Sequence, residues 1–182
     1  MNTQFKSVKS SKVVISELML PSHTNFSGKI HGGYILSLLD QIAFACASKF
    51  SGHYCVTASV DTVDFLAPIE VGELVTMRAS VNYVGKTSMI VGIRVEAENI
   101  QTGKIKHCNS SYFTMVAKDK SGNNALVPGL ILSTDDDIRR FWNCIKMIAI
   151  KKDKQNHEET FDYKSEDSLS KLSKYNVQLE RI

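Results

Sequence analysis

Apolar and polar residues follow two different periods along this chain. Residues 34–47 are almost all apolar, are rich in good helix formers and contain no Gly or Pro, which predicts a helix of about four turns that is buried on all sides. After Gly52 the period changes from about 3.6 to about 2, because four later segments alternate apolar with polar residues as half-buried strands do. Before the helix, the apolar segment from Val13 to Leu20 ends at Pro21 and predicts a first strand or an extended segment.

Turn-forming residues separate the alternating segments. Gly85-Lys86-Thr87 and Gln101-Thr102-Gly103-Lys104 suit hairpins, and a hairpin makes its two strands antiparallel neighbours. A half-buried sheet and an apolar helix each need a partner surface against which to bury their apolar side chains. We therefore predict an α+β fold in which a curved antiparallel sheet wraps around one long central helix.

The sequence divides into four segments of different character. Residues 1–12 are polar and basic, and we predict a flexible N-terminus, whereas residues 13–132 hold the apolar segments and form the folded domain. The three aspartates at 135–137 predict the start of a C-terminal helix over residues 133–150, because the helix dipole favours acidic residues in the first turn. Residues 151–182 carry 7 Lys or Arg against 7 Asp or Glu with few apolar anchors, and we expect a mobile or loosely helical tail.

The composition argues against several classes of protein, namely nucleic-acid-binding, membrane, disulfide-bonded and metal-binding proteins. Apolar residues make up 43% and charged residues 23% of the chain, and the formal net charge is only +3, so a nucleic-acid partner has little support. The longest apolar segment falls short of the roughly 20 residues that cross a bilayer, and no apolar h-region follows the N-terminus, so we expect a cytoplasmic protein without membrane insertion. The cysteines form no CxxC pair, and we interpret them as buried thiols in a reducing compartment rather than disulfides or metal ligands. These cysteines are Cys46, Cys55, Cys108 and Cys144.

Three features around the predicted helix are candidates for chemistry. Asp40 places a carboxylate in an otherwise apolar helix, where it is a candidate for accepting or delivering a proton unless it only pairs with a Lys or caps backbone. Gly32-Gly33 precede the helix, and the free N–H groups at a helix start can stabilise an oxyanion. The alternative is a simple turn that needs glycine for its backbone conformation. Asn25 lies in the preceding loop, where it orients a water or donates to a carbonyl, or merely builds the turn.

Asp40 and the start of the helix are far apart within one chain. Asp40 lies eight residues beyond Gly32, which is about 12 Å along a helix that rises about 1.5 Å per residue. One carboxylate does not easily act on a carbonyl held at the start of its own helix. Two antiparallel helices in a two-fold dimer would bring Asp40 of one chain toward Gly33 and Asn25 of the other. The sequence therefore favours an active site shared between two chains.

Five linked segments carry a likeness to a known family. They are Pro21-Ser22-His23-Thr24-Asn25, His31-Gly32-Gly33-Tyr34-Ile35-Leu36-Ser37-Leu38-Leu39-Asp40, Val56-Thr57-Ala58-Ser59-Val60-Asp61, Tyr83-Val84-Gly85-Lys86-Thr87-Ser88-Met89 and Tyr112-Phe113-Thr114-Met115-Val116-Ala117. In this order they resemble the acyl-CoA hydrolase branch of the hotdog superfamily, most closely the YciA-type bacterial enzymes and the brain-type cytosolic acyl-CoA hydrolases. The resemblance covers about residues 13–130 and implies a hotdog fold, dimers with a continuous sheet, often trimers of dimers, and hydrolysis of acyl-CoA to acid and CoA without a metal or another cofactor.

The resemblance also implies roles for individual residues. The family's catalytic Asn and Asp fall on Asn25 and Asp40 of different chains, with Asp40 as general base or as direct nucleophile. The backbone N–H of Gly33 would stabilise the oxyanion, and Gly32 would adjoin the same substrate site. Many YciA-type members have Phe where this chain has His31, for which we keep two roles, a hydrogen bond to substrate or orientation of the loop.

The turn Gly85-Lys86-Thr87-Ser88 resembles the CoA-facing turn of the family. Lys86 would supply charge to the nucleotide phosphates, and Thr87 and Ser88 would supply hydroxyl groups; the alternative is a solvated turn. Family members often carry Arg in place of Lys86, and a Lys does not make the bidentate phosphate contact of an Arg. The segment from Thr57 to Ser59 would line the pantetheine channel, unless it is simply a core strand.

Two other functions use the same fold. A non-catalytic acyl-CoA sensor would keep Gly32-Gly33 and the turn with Lys86 but would need neither Asp40 nor Asn25, whose joint presence favours the enzyme. A hotdog dehydratase normally uses an Asp and His pair at the front of the helix, which Asn25 and His31 do not supply. Asp61 and Asp64 are alternative carboxylates that we interpret as structural or interfacial.

Overall fold

The computed structural model describes residues 4–61, 63–160, 162 and 164–178, and it forms two compact units, Met1–Cys144 and Ile145–Ile182. The elements of the first unit are, in chain order, β1 (Phe5–Ser7), α1 (Val8–Ser11), β2 (Val13–Leu18), a 3-10 turn (Pro21–His23), α2 (Gly32–Ser51), β3 (Tyr54–Val60), β4 (Asp64–Phe65), β5 (Glu73–Val84), β6 (Ser88–Asn99), β7 (Lys104–Lys118) and β8 (Gly129–Ile131). The helix α3 (Asp135–Thr160) begins in the first unit, and α4 (Glu166–Ser170) and a 3-10 turn (Lys171–Lys174) follow in the second.

Six strands form one antiparallel sheet in the order β2-β5-β6-β7-β3, with β4 also paired to β7. The two hairpins β5–β6 and β6–β7 are those that the turn residues predict. The helix α2 packs on one face of this sheet, and its buried side chains form a single core with those of the strands. The largest buried core side chains include Ile35, Leu39, Ile42 and Phe50 of α2 and Val75, Met77, Val81, Met89, Phe113 and Met115 of the sheet. The predicted hotdog architecture, a central helix wrapped by an antiparallel sheet, is confirmed.

The helix α2 ends at Gly52, which adopts the left-handed conformation with φ 76° and donates its N–H to the Ser48 carbonyl. Glycine reaches this conformation without the steric cost that a Cβ imposes. The termination directs the chain into β3, which lies beside β7 at the end of the strand order.

One face of α2 is exposed in the single chain. Leu36 and Phe44 remain 37% and 39% exposed, and Ser37, Asp40 and Gln41 lie on the same face at spacings of three or four residues. The prediction of a helix buried on all sides is therefore wrong for the single chain, because the sheet covers only the side that carries the core residues.

The described N-terminal residues are ordered parts of the first unit, whereas the sequence suggested a flexible segment. Val8 and Ser11 of α1 are almost completely buried, and the Ser11 hydroxyl accepts a hydrogen bond from the Val81 N–H at 2.9 Å. β1 pairs in parallel with β8, with Phe5 opposite Gly129. A short apolar anchor at Val8 is enough to dock this polar segment, and composition averaged over twelve residues does not reveal it.

The C-terminal helix α3 starts close to the predicted place but continues to Thr160. The Thr134 hydroxyl accepts from the Asp137 N–H at 3.1 Å, while the Asp137 carboxylate accepts from the N–H groups of Ser133 and Thr134. This reciprocal pattern is a capping box, which satisfies N–H groups that the first turn leaves without partners. The helix passes the predicted end at 150 because residues 151–160 hold no Gly or Pro. No helix within the described ranges is long and apolar enough to cross a membrane.

Candidate active site

The Asn25 side chain builds the loop before α2 through its oxygen. Its Oδ1 accepts hydrogen bonds from the Ser27 N–H at 2.9 Å, the Ser27 hydroxyl at 2.7 Å and the Lys29 N–H at 3.2 Å. Three donors on Oδ1 set the orientation of the amide, and Nδ2 has no hydrogen-bond partner within the described part of the chain. The turn-building role that the sequence left open is therefore real, and it leaves the amide nitrogen available as a donor.

The His31 side chain accepts a hydrogen bond from one of the first N–H groups of α2. Its Nδ1 accepts from the Gly33 N–H at 2.9 Å, which makes His31 the N-cap of the helix. The ring lies so close that a Cβ on residue 33 would be 2.9 Å from His31 Cε1, so glycine is required there while the ring keeps this place. Gly32 lies against the ring of Phe65, whose Cζ would be 3.4 Å from a Cβ on residue 32. The paired glycines thus allow two aromatic rings to approach the start of the helix.

Asp40 lies on the exposed face of α2, and not in the buried setting that its apolar neighbours suggested. Its Oδ1 accepts a hydrogen bond from the Thr57 hydroxyl of β3 at 2.5 Å. Its Oδ2 has no partner among the described residues. Thr57 thus holds one carboxylate oxygen and leaves the other open, a contact between residues 17 positions apart that local sequence patterns do not reveal.

A β-bulge lies beside this pair. The register between β3 and β7 shifts between Thr57 and Ser59, so that Ala58 is the extra residue. Bulges bend a strand and re-aim its side chains, and they are frequent next to active sites. Ser59 follows on β3 and is half-buried. The prediction that Thr57 and Ser59 bind substrate stays a prediction, while Thr57 has a structural contact to Asp40.

The turn from Gly85 to Ser88 connects β5 to β6, and its backbone is held on both sides. Gly85 donates to the Ser88 carbonyl at 2.8 Å, and the carbonyls of Lys86 and Thr87 accept from residues 127 and 117. The Lys86 side chain is exposed, and Thr87 and Ser88 are half-buried. The CoA contacts suggested for these residues stay predictions.

The single chain places the two groups of candidates at opposite ends of α2. Phe65 of β4 contacts Gly32 at the start of the helix. The turn Gly85–Ser88 lies near the other end, because Ser88 pairs with Val116 and Tyr54, which follows α2, pairs with Lys118 on the same strand. The chain alone therefore does not bring the Asn25 loop and the Lys86 turn together.

A cavity of about 360 Å³ opens beside the start of α2. Asn25 and Gly32 line it together with apolar side chains. The remaining lining residues are Lys29, Ile30, Ile35, Phe65, Leu66, Ala67, Pro68 and Ile69. A mainly apolar cavity with a few convergent polar groups is the usual form of a small-molecule site.

A second polar cluster supports the loop from the β2 side. The Tyr34 hydroxyl donates to the Glu17 carboxylate, and the hydrogen bond to this carboxylate, together with burial, raises the pKa of Tyr34. The ring of His23 stacks on Tyr34 at 4.0 Å between centroids, and the His23 carbonyl accepts from the His31 N–H at 2.8 Å. Sequence reasoning found no partner for His23, because the ring that stacks on it belongs to Tyr34, 11 residues farther along the chain.

All four cysteines are buried, as predicted. Burial raises the pKa of Cys46 and of Cys144 to about 12, so both thiols stay protonated near neutral pH and are poor nucleophiles. Within the described ranges, no three or more His, Cys, Asp and Glu side chains form a group that could hold a metal ion.

Several known proteins are similar to this chain. The sequence profile of the thioesterase superfamily matches residues 27–104. Protein VdlD of Helicobacter pylori is 44% identical over 136 residues, which cover 75% of this chain and 78% of that protein. The uncharacterised acyl-CoA thioester hydrolase YkhA of Bacillus subtilis is 32% identical over 83% of this chain and 88% of that protein. The chain belongs to the thioesterase superfamily. The resemblance to acyl-CoA hydrolases is thereby confirmed, and the YciA-type branch stays a prediction.

Solved structures of this superfamily match the fold over nearly their whole length. A hexameric acyl-CoA thioesterase superposes with a TM-score of 0.78 at 33% identity, over 87% of this chain and 99% of that chain. An acyl-CoA hydrolase of Staphylococcus aureus, an Asn-to-Ala mutant in complex with coenzyme A, superposes with a TM-score of 0.81 at 27% identity, over 95% of this chain and 99% of that chain. The same hydrolase is known as Asp-to-Ala and Thr-to-Ala mutants. The predicted enzyme class, an acyl-CoA thioester hydrolase, agrees with these matches.

Proposed function

We propose that this protein hydrolyses acyl-CoA thioesters to a carboxylic acid and CoA, with Asp40 as the catalytic carboxylate. The observation that carries the proposal is the hydrogen bond from Thr57 to Asp40 Oδ1, which orients an exposed carboxylate and leaves Oδ2 open. An oriented carboxylate with one free oxygen is equipped to take a proton from water or to attack a carbonyl.

Residue spacing supports this choice of residues. The Asn, Asp and Thr replaced by Ala in the Staphylococcus aureus hydrolase are separated by 15 and 17 positions in its chain. Asn25, Asp40 and Thr57 are separated by the same 15 and 17 positions. The two equal intervals support the assignment to Asn25, Asp40 and Thr57, two of which the sequence also favours and two of which are in direct contact.

The proposed reaction proceeds through a tetrahedral oxyanion. Asp40 Oδ2 takes a proton from water, whose oxygen adds to the thioester carbon, or attacks that carbon directly to give an anhydride that water then hydrolyses. Asn25 Nδ2 and the Gly33 N–H donate to the carbonyl oxygen as it becomes negative. Collapse of the intermediate breaks the C–S bond, and the departing CoA sulfur takes up a proton. The reaction as proposed uses no cofactor apart from the CoA of the substrate.

The Gly33 N–H reaches substrate only after His31 releases it. His31 Nδ1 accepts this N–H at 2.9 Å, and a carbonyl oxygen would have to replace it as acceptor. Rotation of the His31 ring about its own side chain would make this exchange without moving the backbone of α2. His31 is accordingly a positioning residue in this proposal, and Gly32 provides room beside the same site.

The proposed site is shared by two chains. The exposed face of α2 carries Asp40 between Leu36 and Phe44, and β3 lies at the edge of the sheet. A two-fold pairing of these surfaces would place the start of one α2 beside the end of the other. It would thereby bring Asn25 and Gly33 of one chain toward Asp40 and the Lys86 turn of its partner, which the single chain keeps apart. Further assembly as a trimer of dimers fits the hexameric neighbour.

CoA contacts and cellular location complete the proposal. Lys86 would face the nucleotide phosphates, with Gly85, Thr87 and Ser88 shaping the turn, and Ser59 would border the pantetheine arm. The cytoplasm is the proposed location, which buried free thiols support because a reducing compartment keeps thiols unpaired.

A panel of short, medium, long and aryl acyl-CoA substrates tests the function. We expect the wild-type chain to hydrolyse at least one of them, and Asp40→Asn to lower kcat by about 100-fold or more, because general-base catalysis contributes roughly 10²–10⁴-fold. Asp64→Asn is the matched control and should change kcat by less than about threefold. Calorimetry should show CoA bound by all three proteins.

Two results would overturn the proposal. Undiminished turnover by Asp40→Asn would remove Asp40 from the mechanism. Binding of CoA by wild type without hydrolysis of any thioester would favour the non-catalytic sensor.

A further inference from the structure

Phe26 lies at the tip of the loop before α2, directly after the candidate Asn25. Its relative exposure is 113%, so the folded chain leaves the whole ring in solvent. Single exposed apolar side chains are common on protein surfaces and need no explanation by themselves. Phe26 differs from these because consecutive Cα atoms are only about 3.8 Å apart. A surface that meets the Asn25 amide therefore also comes close to this ring.

The loop holds Phe26 in a fixed place. The Asn25 N–H donates to the Lys29 carbonyl at 2.7 Å, and the Gly28 N–H donates to the Asn25 carbonyl at 3.0 Å. Gly28 has φ 77°, a left-handed conformation that favours glycine. Residues 25–28 therefore form a closed turn with Phe26 at its second position, and a hydrogen-bonded backbone presents the exposed ring.

A second exposed aromatic group lies near the other end of α2. Phe44 of α2 and Tyr54 of β3 are 39% and 63% exposed, and their rings meet edge to face with 5.5 Å between centroids. This distance and orientation are those of a favourable aromatic contact. The two residues, here called the aromatic pair, connect α2 to β3, as the hydrogen bond from Thr57 to Asp40 also does.

The aromatic pair lies beside the contact between Thr57 and Asp40. Phe44 follows Asp40 by four residues, which is one turn on the same helix face and about 6 Å along the axis. Tyr54 precedes Thr57 by three residues on β3, about 10 Å along the strand. Both aromatic residues are thus displaced from the carboxylate toward the end of α2. In the antiparallel pairing proposed above, this direction leads to the partner's loop before α2.

A single chain does not bring Phe26 to its own aromatic pair. Phe44 lies twelve residues beyond Gly32, which is about 18 Å along a helix that rises about 1.5 Å per residue. The loop with Phe26 precedes the start of this helix, and its ring stays uncovered. Only a second copy in the antiparallel arrangement offers Phe26 an aromatic surface at the required place.

We propose that Phe26 of one chain docks against Phe44 and Tyr54 of a second copy and thereby positions Asn25 beside the partner's Asp40. This contact presupposes the shared site of the proposed function and explains what holds its two halves together. Aromatic side chains suit the task, because each buries a large apolar area and such residues dominate the energetics of interfaces. Phe26 is a positioning residue, since it acts through Asn25 and touches neither the thioester nor the attacking water.

Chemical cross-linking tests the contact without any need for turnover. We expect Phe26→Cys combined with Tyr54→Cys to form covalent dimers with a short bismaleimide, which spans packed rings better than a disulfide does. Phe26→Cys combined with Val14→Cys is the matched control, because Val14 is also exposed but lies on β2, at the opposite edge of the sheet from β3. The four native thiols are buried and should stay unmodified. Equal cross-linking of both double variants, or cross-linking of neither, would overturn the proposal.

Steady-state kinetics test the positioning role. Phe26→Ala should lower kcat at least fivefold and leave KM within about twofold of wild type, because the ring does not contact the substrate. Phe26→Leu stays apolar and should recover most of kcat. Ile100→Ala is the matched control, an exposed apolar side chain in the turn between β6 and β7, and should keep the kcat of wild type. A higher KM with unchanged kcat in Phe26→Ala would mean that Phe26 covers the substrate, and the proposal would fail.

A double-mutant cycle connects the two halves of the site. The combined loss of kcat in Phe26→Ala with Phe44→Ala should be at least threefold smaller than the product of the separate losses, although one chain keeps these positions apart. Independent losses would count against the contact. Cross-linked dimers that hydrolyse no thioester would remove the enzyme and keep the contact. Hydrolysis by wild type without cross-linking or coupling would keep the enzyme and remove the contact.

Discussion

The twelve residues of β5 alternate between two faces of the sheet, and the two faces differ in chemistry. On the inner face, Val75, Met77 and Val81 are fully buried against α2 and carry no hydrogen-bonding side chain. On the outer face, which turns away from α2, Ser80 and Asn82 are almost as buried, but they are polar and line a cavity of about 470 Å³ together with four arginines. Burial alone therefore does not mark a hydrophobic core, since what distinguishes the faces is the element that covers each one.

The comparison extends to function. The inner face supports α2, and through it holds Asp40 against Thr57. The outer face carries a cluster of positively charged side chains, and none of them belongs to the candidate active site. Substitutions on the inner face and on α2 should therefore have the stronger effects on stability or turnover.

The largest expected effect is on stability. Met77→Ala removes a fully buried side chain from the inner face and should lower the free energy of unfolding by about 2–5 kcal/mol. Arg78→Ala, next along β5 on the outer face, should change it far less, because it also relieves the repulsion with Arg94. Urea denaturation of both variants checks this difference. Equal losses would mean that the two faces contribute alike to the core.

A smaller effect is expected at Gly92. Gly92→Ala places a Cβ 2.1 Å from Asn82 Nδ2 and should cost about 1–3 kcal/mol through overpacking. Asn82→Ala in the same chain removes the obstacle, so the double variant should recover part of the loss, which a double-mutant cycle measures. Purely additive losses would contradict the close approach of the Asn82 amide to Gly92.

Thr57→Val tests the contact between Thr57 and Asp40, because it keeps the shape of the side chain and removes its hydroxyl. We expect kcat to fall by about 10- to 100-fold, because a hydrogen bond to a charged group contributes roughly 1.5–3 kcal/mol. Thr57→Ser restores the hydroxyl and should restore most of kcat. If Thr57 contacted only substrate, KM and not kcat would change in the valine variant.

The smallest expected effect comes from His31→Ala. Loss of the cap on the Gly33 N–H should lower stability by about 0.5–2 kcal/mol, while kcat stays within about threefold of wild type because the N–H is released rather than removed. His53→Ala is the control histidine outside the site. A loss of kcat beyond 100-fold would instead make His31 a catalytic residue.

Local patterns predicted much of this molecule. The alternation along β5, β6 and β7, and the turns between them, specified the antiparallel order, because strand period and turn chemistry are properties of adjacent residues. The same patterns failed for Asp40, whose apolar neighbours suggested burial although it lies on an open face of α2. They also failed for residues 5–11, which dock through the buried Val8, the pairing of β1 with β8 and the hydrogen bond between Ser11 and Val81.

The sequence by itself determined the long helix and the long strands β5, β6 and β7, the family the chain belongs to, and the residues Asn25 and Asp40 as the most favoured candidates for chemistry. Only the tertiary structure decided that Thr57 holds Asp40, that His31 caps Gly33 and that Lys12, Arg78 and Arg140 line one cavity. The physical reason is that periodicity and turns arise from neighbouring residues. A hydrogen bond or a shared cavity depends instead on strand register and on which element covers which face, and these follow from the packing of the whole domain.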